Sequence, residues 1–179
     1  MASTPLAHAH AAHFPAALKS MLVVASALQD VRATARVVAR LQAREPVRVH
    51  VLAVCTPPTG HARFFLRGLD VRAMQKAEGE EALRPLRSAL EAEGVTFRTH
   101  VEIGPWLETV ARFAREISSS RVVVGVSPSH PWRTLLLRHD CWRVAAALRA
   151  AGHACPVVRG EERVQVAAPG LPREASRPH

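Results

Sequence analysis

The chain has no tyrosine, and aromatic residues make up only 4% of it, so no run of aromatic rings interleaves with its arginines to stack the bases of a single strand. Cysteine is scarce too. The three present, Cys55, Cys141 and Cys155, are odd in number and form no Cys-x-x-Cys pair. That pattern excludes a disulfide framework and points to reduced, packed thiols. No apolar run approaches the roughly 18 consecutive residues that a membrane span needs, so no membrane association is expected. The stretch 19–27 has the small-residue site of a secretory leader, but its apolar core is too short and no basic segment precedes Lys19. A cytoplasmic location is the expectation.

Catalytic sets are missing as well. No paired carboxylates, metal-ligand group or nucleophile with an aligned base can be assembled, so the chain is not read as an enzyme. His139, Asp140 and Cys141 have a catalytic composition, yet consecutive helical residues point about 100° apart and cannot form a line of nucleophile, base and orienter. They read as helix-surface residues plus one packed thiol. His8, His10 and His13 form at most an adventitious metal site. His50 and His100 sit in separate strands without a third ligand and read as satisfied strand histidines. Trp106, Trp132 and Trp142 are expected to seal the edges of the core.

What is present is positive charge and a switching hydrophobic period. Arginine outnumbers lysine by more than ten to one in a chain of formal net charge +9. Arg32, Arg36, Arg40 and Arg44 recur at four-residue spacing, a basic ridge along one helix. It reads as a solvated face, and no specific nucleic-acid partner is expected. With 48% hydrophobic residues in 179, the chain can bury one core flanked by tails.

The tail, 1–18, is rich in Ala, His and Pro and has no apolar pattern. A strand is expected over 21–25 and a helix over 30–43, which Pro46 ends. The second strand, 47–54, places Val47, Val49, Val51 and Ala53 on one face and Arg48 and His50 on the other. Residues 56–69 read as a loop. A helix over 70–93 carries a Glu80–Arg84 pair, bends at Pro85 and stops at Gly94. The third strand is 95–103, and Gly104-Pro105 opens a helix with proline at its first position and Leu107, Val110, Ala111, Ala114 and Ile117 as its core face. Residues 118–120 form a link, 121–124 the fourth strand, about 133–151 the fourth helix and 155–159 the last strand. Gly160-Glu-Glu-Arg-Val-Gln-Val166 alternates like a further short strand, within a C-terminal extension, 161–179.

This order predicts an α/β fold: an open, five-stranded, mostly parallel sheet with helices on both faces, Rossmann-like, over 19–160. Several segments carry a resemblance in order: Val49-His-Val-Leu52, Glu91-Ala-Glu-Gly-Val95, Val101-Glu-Ile-Gly104, Ser120-Arg-Val-Val-Val-Gly125, Leu135-Leu-Leu137 and Cys155-Pro-Val-Val158. Together they resemble the universal stress protein family. The resemblance implies a nucleotide cleft at the ends of strands one and four, and a dimer paired through the last strand.

The family's ATP-binding members place an Asp after strand one, and after strand four a Gly, two residues, a Gly, nine residues, then Gly and Ser or Thr. Here Gly125 matches the first glycine, while Ser26, Pro128, Arg138 and His139 stand at the Asp, second-glycine, third-glycine and hydroxyl positions. Glycines let backbone amides approach phosphate oxygens. Pro128 removes one amide, and Arg138 brings a side chain into the approach. The expectation is therefore no cofactor, with ATP or AMP as the alternative. The candidate cleft comprises Ser26, Val51, Gly125, Ser127, Ser129, Arg138 and His139. The resemblance implies a stress-response regulatory or interaction protein acting as a homodimer with an unknown protein partner. The alternative is a nucleotide or anion sensor.

Overall fold

The second strand carries valine at almost every alternate position, and the structure explains why: it is covered on both faces. A computed structural model describes residues 18–26, 29–57, 70–125 and 131–160, with 131–140 described by their backbone. The five strands are β1 (Lys19–Val24), β2 (Val47–Cys55), β3 (Phe97–Ile103), β4 (Ser119–Val124) and β5 (Val157–Arg159). Four helices connect them: α1 (Val31–Arg44), α2 (Val71–Ala92), α3 (Trp106–Glu116) and α4 (Pro131–Ala150). The sheet order is β3-β2-β1-β4-β5 and every pairing is parallel.

The central strand, β1, is buried from Ser20 to Val24 because both faces are roofed. Met21 and Val23 join Val49, Val51, Ala35, Val38, Leu83, Leu86 and Leu90 in the core under α1 and α2. Leu22 and Val24 join Leu52, Val122, Val110, Phe113, Val144 and Leu148 under α3 and α4. Continuous apolar strands are the signature of a parallel sheet packed on two sides.

Local chemistry sets the helix ends. Asp30 caps α1, its Oδ1 accepting from Ala33 N at 2.9 Å, and Asp70 caps α2 in the same way through Ala73 N at 3.1 Å. Gly94, at φ +70°, ends α2 in a Schellman arrangement: Val95 N donates to Leu90 O and Gly94 N to Glu91 O. The helix runs unbroken through Pro85. The expected Glu80–Arg84 pair is replaced by Arg84–Glu81 and Arg87–Glu80, because at the surface either neighbouring turn can supply the partner. Pro105 is the N-cap of α3, one position before the expected site. The buried face of α3 also includes Thr109 and Phe113.

Strand starts differ from the expectation: β1 begins at Lys19 and β5 at Val157, and the shifts of β3 and β4 have a visible cause. β3 starts at Phe97, since Val95 is still engaged in closing α2. β4 starts at Ser119, inside the expected link, because Ser20 of β1 pairs with Ser119 and Ser120 Oγ donates to Ser20 O at 2.9 Å. Arg32, Arg36, Arg40 and Arg44 are all exposed along α1. The two tails and the proposed strand after Gly160 lie outside the described residues. Among the described residues no helix is long and apolar enough to cross a membrane.

Candidate functional site

In an open parallel sheet, ligands bind outside the carboxyl ends of the strands where the chain order reverses. Here the reversal falls between β1 and β4, since α1 leads from β1 to β2 on one side and α3 carries the chain across to β4 on the other. Ser26 leaves β1 at this point and Gly125 leaves β4.

The β4 side of the switch point is filled by the protein itself. Gly125 is buried beneath the Gln29 side chain, whose Cβ and Cδ would lie 2.6 and 2.8 Å from any Cβ added at Gly125. Gln29 N donates to Ser26 O at 3.2 Å, tying the start of α1 to the end of β1. Its Oε1 is buried with no hydrogen-bond partner. Gly160 closes the same corner from above. Its N donates to Val124 O at 2.9 Å, and a Cβ added there would lie 2.7 Å from Thr34 Oγ1 and 3.2 Å from Gly125 Cα. A side chain at residue 160 would press on Thr34 and on the Gly125 backbone, so the close approach favours glycine there.

The β1 and β2 side stays open. A cleft of about 410 Å³ lies over the ends of these strands. Ala25, Ala53, Val54 and Ala82 give it small apolar walls, and Trp106 adds a large one. Among the described residues its polar groups are Ser26, Thr56, the Cys55 thiol and the exposed carboxylate of Glu78. α2 comes close enough to help form this wall because residue 79 is glycine: a Cβ there would collide with Val101 and lie 2.9 Å from Cys55 Sγ. Cys55 Sγ donates to Gln75 O at 3.2 Å, and Gln75 Nε2 donates to Thr56 O at 3.3 Å, pinning the strand exit to the helix. Burial, with a smaller push from the Glu78 charge, raises the Cys55 thiol above its ordinary pKa, so it remains protonated and a weak nucleophile.

The structure gathers only part of the sequence-derived set. Ser26 lines the cleft. Val51 does not: it is 0% exposed in the core, because β2 extends to Cys55 and presents Ala53 through Thr56 to the cleft instead. Gly125 sits at the β4 exit but is covered. Ser127 and Ser129, like Pro128, lie outside the described residues. Arg138 and His139 fall within the α4 backbone, and their side chains are not among those described. Sequence reasoning did not find Gln29, Cys55, Glu78 or the role of Trp106 as a cleft wall. Gly79 was the available signal for Glu78, since a buried helical glycine marks the side of α2 that touches the sheet.

Other expectations can also be placed. His50 Nδ1 and His100 Nε2 share a hydrogen bond of 3.0 Å across β2 and β3, with ring centroids 5.2 Å apart. The His100 ring also packs against Phe113, with centroids 4.8 Å apart. Burial, then the neighbouring His100, Arg98 and Arg48, lowers His50 to a pKa of about 4. Among the described residues no group of three metal-ligating side chains occurs. Cys141 packs against the core. Trp106 partly seals the core edge as expected, whereas Trp142 is 63% exposed on α4 and does not. Its helix position turns the ring to solvent.

The model of the universal stress protein family matches residues 17–151. Among solved structures, the universal stress protein from Archaeoglobus fulgidus superposes with TM-score 0.52 at 19% identity, covering 79% of this chain and 92% of that one. UspA from Lactobacillus plantarum gives 0.55 at 18% identity, covering 81% and 99%. A universal stress protein solved in complex with cAMP gives 0.51 at 17% identity, covering 80% and 97%. No curated protein matches the sequence.

Proposed function

From its membership of the universal stress protein family, we propose that this chain is a stress-response regulatory or interaction protein that works by binding a partner rather than by catalysis, and that it does not hold ATP. The observation that supports this is the closed β4 exit, where Gln29 and Gly160 occupy the surface of Gly125. A phosphate-binding loop needs amides that a ligand can approach. Pro128 and Arg138 work against such a loop from the sequence side. Losing two charge-assisted hydrogen bonds at roughly 1.5 to 3 kcal/mol each weakens binding by two to four orders of magnitude. Titration calorimetry with ATP and magnesium is expected to show no saturable binding in the micromolar range. Saturation at low micromolar ATP would end this reading.

The working unit in this reading is a cytoplasmic homodimer. Among the described residues β5 is an edge strand, bonded to β4 on one side only, and Val157 and Val158 are half-buried. An unpaired edge with apolar side chains favours pairing with a second copy. Sedimentation at tens of micromolar, where an interface of ordinary size is populated, is expected to give a dimer; a monomer there refutes it.

A second reading has its own support. The cleft at β1 and β2 is open, and a structural relative was solved with a bound cyclic nucleotide. In that reading the protein is a small-molecule sensor. Mass spectrometry of small molecules released from the purified protein separates the two.

A further inference from the structure

A groove of about 710 Å³ runs between α1 and α2 on the side away from the sheet. Val31, Pro85 and Ala89 give it an apolar floor, and Arg32 and Arg36 form its lip on α1. Arg32, Arg36 and Arg40 follow one another along the exposed face of that helix, one turn apart. The described chain ends beside the same helix. Gly160 N is bonded to Val124 O, and Gly160 O lies 3.5 Å from Thr34 Oγ1. The residues after it are Glu161, Glu162, Arg163, Val164, Gln165 and Val166. In an extended chain the two valines share one face. Six residues reach about 20 Å, enough to pass round the outside of a helix about 10 Å across. Two acids therefore come first, where the path from Thr34 meets the arginines, and two valines come last, where it meets the groove. Isologous pairing of two copies through this face would instead set one arginine ridge against the other.

We propose that the segment 161–166 crosses the outer face of α1 and docks in the groove between α1 and α2. Glu161 and Glu162 pair with Arg36 and Arg40, and Val164 and Val166 enter the groove over Val31, Pro85 and Ala89. The segment is then a strap over the basic ridge, and any partner that uses this face has to displace it. Docked this way it leaves the outer edge of β5 clear for the dimer proposed above. It holds equally whether or not the cleft at β1 and β2 takes a small molecule.

NMR on the full chain with labelled methyl groups tests this. Nuclear Overhauser contacts are expected from the Val164 and Val166 methyls to Val31 and Ala89. Trypsin should cut after Arg163 about tenfold more slowly than in a synthetic peptide of residues 159–179, since cleavage follows the population of the open form; initial rates are read by mass spectrometry. Arg36→Gln with Arg40→Gln should speed that cut about three- to tenfold, the combined effect of two exposed ion pairs. Ser88→Phe, which fills the groove from an exposed position, should remove the valine contacts. All three changes lie at the surface, and an unchanged circular dichroism melt checks the fold. Valine contacts with Val157 and Val158 would put the segment beside β5 and overturn the inference. So would contacts that arise only between a labelled and an unlabelled copy, or cleavage as fast as in the peptide. Arginine variants that leave the cleavage rate unchanged overturn the roles given to Arg36 and Arg40, and valine contacts that survive Ser88→Phe overturn the role given to the groove.

Discussion

Mild acid should destabilise this protein through one pair of side chains. His50 is 8% exposed, and its hydrogen bond to His100 needs one ring nitrogen to donate and the other to accept. Protonating both rings leaves two donors facing each other, with Arg48 and Arg98 adding positive charge nearby. Burial likewise lowers His100, opposed in part by Glu102 and Glu116. Because the folded pKa of His50 is depressed from 6.5 to about 4, the unfolded chain binds more protons between these values. Stability is therefore full above pH 6.5, declines as pH falls through the window and levels off below about 4. At 1.36 kcal/mol per unit, the full shift corresponds to about 3 kcal/mol. The pair lies at the edge of the sheet, where solvent reaches His100, so about half of that is the expected loss. Urea unfolding of the wild type and His50→Leu, followed from pH 7.5 to 4, tests this. Acidic side chains titrate in both proteins and cancel in the difference. The wild type should lose about 1 to 2 kcal/mol more than the variant across the window. Parallel curves would refute the argument, as would an NMR titration placing His50 at an ordinary value.

Gly79→Ala should cost about 1 to 3 kcal/mol in urea unfolding, since the new methyl meets Val101 and Cys55 Sγ between packed elements that have little room to yield; a change under about 0.5 kcal/mol would show that α2 can lift from the sheet. Nucleic acid should bind only weakly and nonspecifically, with affinity falling steeply as salt rises. A sequence-dependent gel shift that survives physiological salt and is lost in Arg36→Ala, Arg40→Ala would contradict the solvated-ridge reading.

Much of the architecture was legible because it rests on local or strictly periodic signals. Strands buried on both faces spell themselves as valine runs, Asp30 and Asp70 announce helix starts, and Gly94 and Gly152 announce helix ends, both with positive φ. The site was less legible. Ser26 could be placed because it follows a strand directly. Val51 lies in the core, short of the cleft, because the end of β2 depends on how far β3 stays paired with it, and that pairing runs to Cys55 opposite Ile103. Gln29 gives no pattern at all: its importance lies in contact with Gly125, far away in sequence. Ser119 and Ser120 read as a link because serine is a poor strand former, yet pairing with β1 recruits them.

The path of the chain through the sheet bears on how the protein could be rewired. Among the described residues, Lys19 opens the central strand at its amino end, and Gly160 is bonded over the carboxyl end of β4. Six residues of strand separate these levels, about 20 Å at the rise of a β-strand. A circular permutant joining residue 18 to residue 160 would need a linker of at least some six extended residues to travel the height of the sheet. A shorter one would have to pull Gly160 away from Gly125, and would thereby unseal the corner that Gln29 and Gly160 now close.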